Sequence, residues 1–154
     1  MRTEIIQVIC AVIGSFGFSF IFHLKKDKLA AASFGGGLTW LFYLLVVCRV
    51  NGEFMAYFLA TVFATFYAEL MARVKKAPAT IFVIPALVPL RPGGRLYYTM
   101  DYLIQRDTAM MKEKAGETAM LALAIAMGIT IVIMLLDLFS LVVRALKRGP
   151  AKKC

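Results

Sequence analysis

The chain has 154 residues, 61% of them hydrophobic, and its 18 basic and 9 acidic side chains leave a formal charge of +9. A soluble domain is about 45–50% apolar; the excess here is gathered in blocks with the charges between them, which excludes an ordinary soluble domain and predicts one all-α multi-pass membrane domain over residues 1–154. The basic residues flank apolar blocks and form no nucleic-acid motif, so they are read as orienting charges that meet anionic membrane lipid, and no nucleic-acid partner is expected.

The first span is predicted at 5–22. It begins almost at once, without a sizeable basic n-region, and is long enough to remain as a span rather than a cleaved signal. Gly14 and Gly17 in it are small packing positions, and His23 closes it at the interface. The second span, 29–48, holds no charge. Its Gly35-Gly36-Gly37 run allows close helix packing, a hinge or a thin wall facing a solute. The third, 54–70, carries Ala60, Ala64 and Ala68 at four-residue spacing, a stripe that lets another helix approach. Glu69 near its end stands four residues before Arg73, a good helical ion pair or a candidate coupling site. Ser33, Thr39, Thr61, Thr65 and Thr130 are candidates to hydrogen-bond across helices or to a solute.

The fourth apolar block, 77–91, is short and broken. Pro85 and Pro89 each lack an N–H and clash with the preceding turn, and Pro92-Gly93-Gly94 ends the helix. A backbone group without a partner is costly in lipid, so irregular backbone persists only where protein buries it or water reaches it. Discontinuous helices of this kind build solute sites in transporters. Arg91 and Arg95 bracket the break; an arginine fork holds a carboxylate by two parallel hydrogen bonds, and glycine lets backbone come close to the anion. The blander alternative is a turn between a span and a surface helix, with arginines that bind lipid phosphate. Beyond the break, residues 96–113 predict one amphipathic helix at the membrane surface or against a partner, with Leu96, Met100, Leu103, Ile104, Met110 and Met111 on its apolar face; Asp107 and Lys114 intrude on that face, so that the helix ends early or pairs there. The last span is predicted at 118–143, with Asp137 seven residues before Arg144, about 10 Å inside the edge. An acid at that depth predicts proton coupling or a cation partner; the alternative is a buried carboxyl bonded to a neighbouring helix or paired with Lys75 or Lys76.

Five crossings with the N-terminus outside place Lys25, Lys26, Lys28, Arg73, Lys75, Lys76, Arg144, Lys147, Arg148, Lys152 and Lys153 inside. That is eleven of the eighteen basic residues, so the positive-inside rule favours five crossings over a fourth block that dips in and returns, and Cys154 is expected in the cytoplasm. Cys10, Cys48 and Cys154 show no CxxC spacing and His23 is the sole histidine, so no metal, no redox motif and no nucleophile–base set is indicated. No cofactor is expected. Without a phosphate-binding loop, the expected drive is an ion or solute gradient rather than ATP. The chain is therefore read as no enzyme; the broken helix leaves open a membrane transport protein and a non-transporting membrane scaffold.

The run IPALVPLRPGG followed by YYTM, after three spans and before a surface helix and a last span, resembles the threonine/serine exporter family. It is similar to the short partner subunit, which corresponds to the C-terminal half of the fused exporters. Pro89, Pro92, Gly93, Tyr97 or Tyr98, and Met100 match the pattern. The resemblance implies a hetero-oligomer in the cell inner membrane that exports threonine and serine or a dicarboxylate such as succinate. It also implies that the short subunit is incomplete without a longer membrane subunit.

Overall fold

The computed structural model describes residues 2–50, 52–91 and 93–147; Pro92 of the predicted break and Cys154 lie outside the described residues. The chain runs through α1 (Arg2–Ile21), α2 (Lys26–Val47), α3 (Glu53–Val74) and the short α4 (Thr80–Leu87). A 3-10 turn (Val88–Leu90) extends α4, and α5 (Gly93–Ile104) and α6 (Thr108–Lys147) follow. Among the described residues, α1, α2, α3 and α6 are long and apolar enough to cross a membrane. The protein is an all-α multi-pass membrane protein, as its composition predicts.

Three helices end in the same way. His23 after α1, Lys76 after α3 and Arg106 after α5 take positive φ of 52°, 48° and 59°. In each case the next N–H reaches back to a carbonyl of the last turn: Leu24 to Ser19 at 3.3 Å, Ala77 to Ala72 at 3.0 Å, Asp107 to Tyr102 at 3.0 Å. Glycine is usual in this left-handed closure. A basic side chain accepts the strain here and sits against the negative end of the helix dipole.

The long helices pack up and down. At one end of the bundle, the start of α1 and the end of α2 share a groove lined by Glu4, Ile5, Val8, Leu45 and Cys48. The Tyr67 hydroxyl of α3 donates to the Ala31 carbonyl of α2 at 2.9 Å, and Phe42 stacks on Phe63 with centroids 4.5 Å apart. α6 runs antiparallel to α3 and meets it tightly through Gly128, where a Cβ would stand 2.9 Å from the Thr61 side chain. Glu117 of α6 lies level with Glu53, and Phe139 lies level with Arg73. The first described helix thus starts, and the last one finishes, at opposite ends.

The alanine stripe of α3 is the track for α4. Ala56, Ala60, Ala64, Ala68 and Ala72 are all buried. Phe82 packs with Ala68 and Ala72, while Leu87 and Leu90 pack with Ala60 and Ala64. Between membrane helices, close van der Waals packing over small residues replaces the hydrophobic drive available in water. From Thr80 to Leu90 the chain rises about 18 Å, little more than half of the ~30 Å of hydrocarbon.

The segment predicted as one surface helix over 96–113 is instead two helices folded back on each other. Arg106 ends the first in the left-handed conformation, and Asp107 caps the second by accepting the N–H groups of Ala109 at 3.2 Å and Met110 at 3.1 Å. α6 therefore begins at Thr108 rather than 118 and is 40 residues long, about 60 Å. Its first turns and α5 make an antiparallel hairpin, and Leu96, Met100, Leu103 and Ile104 are exposed on α5.

Candidate functional site

The glycine run on α2 sets the geometry of the centre. A Cβ at Gly35 would stand 2.5 Å from the Tyr67 ring of α3, and one at Gly37 would collide with Val12 of α1. A Cβ at Gly36 would collide with the Ser15 hydroxyl of α1, lie 2.6 Å from the Ser15 Cβ, and lie 3.3 Å from the Pro85 carbonyl of α4. Three helices therefore meet over one bare backbone turn, and the place where they meet is the proline of the broken helix. Gly14 and Gly17, read from sequence as packing positions, have nothing within 4 Å of a built Cβ and face outward.

The break itself follows from the two prolines. Pro85 is buried inside α4 and withholds an N–H from the carbonyl four residues back. Pro89 does the same to the Pro85 carbonyl, which instead takes the N–H of Val88, and this tightens the helix into the 3-10 turn. Arg91 leaves the turn in extended conformation (φ −65°, ψ 130°), its N–H on the Val88 carbonyl at 3.3 Å. The Gly93 N–H then donates to the Arg91 carbonyl at 2.7 Å and α5 begins. Gly93 and Gly94 are exposed, with open space where side chains would stand.

The two arginines have different surroundings. Arg95 donates to Glu53 at the start of α3 and to Glu117 of α6, and Lys114 adds a bond to Glu117 at 3.0 Å. Its side chain is 30% exposed, so both carboxylates draw on one largely covered guanidinium. Arg95, Lys114 and Glu117, with Tyr98 and Tyr102, line an open depression of about 470 Å³. Arg91 is exposed, and its guanidinium carbon stands 5.0 Å from the centre of the Phe18 ring on α1. Among the described residues no carboxylate pairs with it. A cation–π contact of this kind is worth about 0.5–1 kcal/mol at an exposed site, and among the described residues no side chain accepts from the fork's N–H groups.

The remaining candidates lie elsewhere. Glu69 is half-buried, and among the described residues no ion pair joins it to Arg73; both border an open depression with Lys76 and Pro78 at the other end of the bundle. Asp137 is exposed on the outer face of α6 beside Leu138 and Met134, and its carboxylate has no partner among the described residues. Glu69 thus stands by the start of the broken helix, but the structure brings neither it nor Asp137 to the break itself.

The hydroxyl candidates are explained locally. Ser33, Thr39, Thr61, Thr65 and Thr130 each donate to the carbonyl four residues earlier, at 2.8–2.9 Å. Sequence reasoning passed over Ser15, Trp40, Phe18, Glu53 and Glu117. A glutamate directly after a turn carries no distinguishing pattern, and nothing in the spacing of Ser15 separates it from the other span hydroxyls.

A family model described as Threonine/Serine exporter, ThrE matches residues 7–135 of the chain. No curated protein and no solved structure matches it.

Proposed function

The chain belongs to the threonine/serine exporter family, and on that premise we propose that it is one subunit of a two-component secondary exporter in which Arg91 at the helix break receives the carboxylate of a small solute. The family is one of transporters, and the solute is threonine or serine, with a dicarboxylate such as succinate as the second reading. The observation that supports this role is the contrast between the arginines. Arg95 is occupied by Glu53 and Glu117, whereas the described contact of Arg91 is an aromatic face. A guanidinium beside the helix break, with its fork open, is the natural counter-charge for a carboxylate passing α4.

Asp137 supports the second subunit. A polar carboxyl group on the outer face of a span is expensive in lipid. A partner helix laid over that face of α6 would supply a cation or donor and remove the cost. We place the assembly in the cytoplasmic membrane, N-terminus outside, because the end of the bundle that holds Lys25, Arg73, Lys75 and Lys76 is rich in basic residues. The test is counterflow of labelled threonine, serine and succinate in sealed vesicles with both subunits present. Saturable exchange of at least one, absent when either subunit is left out, is expected. Exchange by this chain alone removes the two-subunit reading, and no exchange of any of the three removes the transport reading.

A further inference from the structure

Three depressions on the flank of the bundle run into one another. The first, about 450 Å³, has Leu59, Phe63 and Phe66 of α3 on one wall and Val132, Leu135 and Leu136 of α6 on the other, and its lining is apolar throughout. Phe66 and Leu136 also line the second, about 150 Å³, which ends at Glu69, Arg73 and Phe139. Glu69 and Arg73 in turn border the third, an open depression of about 480 Å³ that reaches Lys76 and Pro78. Along one line the surface therefore changes from purely apolar to charged. We propose that this groove binds one phospholipid whose headgroup carries a phosphate and a primary ammonium, a phosphatidylethanolamine. An acyl chain lies between α3 and α6, the phosphate sits on Arg73 and the ammonium on Glu69.

One stripe of α3 builds the groove. Leu59, Phe63, Phe66, Glu69 and Arg73 follow one another at three- or four-residue steps and so share a face of the helix. From Leu59 to Glu69 the helix rises about 15 Å, half of the ~30 Å of hydrocarbon and hence the depth of one leaflet. An acyl chain of that leaflet matches the apolar length, and its headgroup comes level with the charges. Arg73 is exposed one residue before α3 ends at Val74, where a long side chain reaches the headgroup layer.

The charged residues select the headgroup. Glu69 and Arg73 stand at a spacing that favours a mutual ion pair, yet neither has a partner among the described residues. An acid inside a span calls for a cation or a donor. An ethanolamine headgroup supplies both counter-groups: its phosphate oxygens accept from the arginine fork, and its ammonium donates to the carboxylate. Lys76 at the rim adds positive charge on the phosphate side. A phosphatidylglycerol brings the phosphate alone and leaves Glu69 facing a negative charge. A phosphatidylcholine brings a quaternary ammonium with no N–H to donate. The groove is also clear of the surface assigned above to the second subunit. At about 100° per residue, Asp137 points about 150° away from the mean direction of Val132, Leu135, Leu136 and Phe139.

The test is native mass spectrometry of the full chain in micelles, alone and with the second subunit. The chain is titrated with phosphatidylethanolamine, phosphatidylglycerol and phosphatidylcholine of identical acyl chains. Wild type, Glu69→Gln, Arg73→Gln, Leu136→Trp and, on the Asp137 face, Met134→Trp are compared, each with its melting temperature. Wild type should hold one phosphatidylethanolamine roughly ten-fold more tightly than either other lipid. Glu69→Gln should lose the preference over phosphatidylglycerol, and Arg73→Gln should bind phosphatidylethanolamine roughly ten-fold more weakly. Leu136→Trp, which fills the groove, should weaken binding of all three, and Met134→Trp should weaken none. Equal retention of the three lipids by wild type, or tighter phosphatidylglycerol, overturns the proposal without reference to any variant's folding. Equal effects of the two tryptophan variants overturn it too. Release of the bound lipid when the second subunit is added makes the groove a subunit seat and overturns it as well. The transport reading stands or falls separately, because no solute takes part in this measurement.

Discussion

The Gly36→Ala substitution tests the packing at the centre of the bundle. The added Cβ would stand 2.6 Å from the Ser15 Cβ, where unstrained carbon contacts are about 3.5–4.0 Å, so α1 and α2 must part by about 1 Å. The Pro85 carbonyl, 3.3 Å from the same point, blocks escape toward α4. Overpacking of this kind costs about 1–3 kcal/mol, against which alanine returns up to ~1 kcal/mol of helix propensity over glycine. Because the clash falls on backbone-proximal atoms rather than a flexible tip, the upper half of the range applies, and the net loss is about 1–2 kcal/mol. Gly14→Ala is the control: it has nothing within 4 Å and gains the propensity alone. Ser15→Gly is the rescue, since it removes the Oγ and Cβ that the new methyl meets. The assay is urea or thermal unfolding in detergent micelles for both single variants and for the Gly36→Ala/Ser15→Gly pair. Gly36→Ala is expected to be less stable than Gly14→Ala by about 2 kcal/mol or more, with the double variant recovering most of the loss. Equal stability of the two alanine variants, or no recovery in the pair, refutes a Gly36–Ser15–Pro85 junction.

Other perturbations follow from the same geometry. Asp107→Ala removes two capping bonds from the start of α6 and should cost about 1 kcal/mol, seen as a lower melting temperature. Arg106→Gly relieves a left-handed residue and should melt at or above wild type; a clear loss would show that the side chain makes an essential contact. Arg95→Ala frees Glu53 and Glu117 and should cost no more than about 1–2 kcal/mol, because the carboxylates are partly exposed and screened. Cys48 is exposed at the end that carries Glu53, so a membrane-impermeant maleimide should label it on intact cells; labelling only in inverted vesicles would reverse the proposed orientation.

The fold was legible wherever one residue type repeats with a physical consequence. Ala60, Ala64 and Ala68 at four-residue spacing announced a helix-packing stripe, and the structure lays α4 on it. Pro85 and Pro89 announced a break, because neither has an N–H to give. The span limits were less legible: α6 extends ten residues before its predicted start, since Asp107 caps it within a charged stretch that hydropathy assigns to the surface. The single surface helix was misread for the same reason, because a left-handed arginine closes α5 where sequence offers no glycine as a signal. The Arg95 network depends on residues 42 and 22 positions away, and such pairings arise only once helices are placed side by side. Gly35–Gly37 was visible as unusual, but only the neighbours Tyr67, Ser15, Pro85 and Val12 show why each position tolerates no side chain.

The central claim is that Arg91, and not Arg95, meets the solute carboxylate. It is tested most directly by measuring the counterflow KM for threonine with Arg91→Ala, Arg91→Lys, Arg95→Ala and wild type, all shown to be assembled. Loss of a charge-assisted bond of about 1.5–3 kcal/mol should raise the KM roughly ten- to a hundred-fold in Arg91→Ala, with partial recovery in Arg91→Lys, which keeps the charge without the fork. Arg95→Ala should keep a near-wild-type KM. An assembled Arg91→Ala exporter with wild-type KM and rate would contradict the claim and leave Arg91 as an anchor for lipid phosphate.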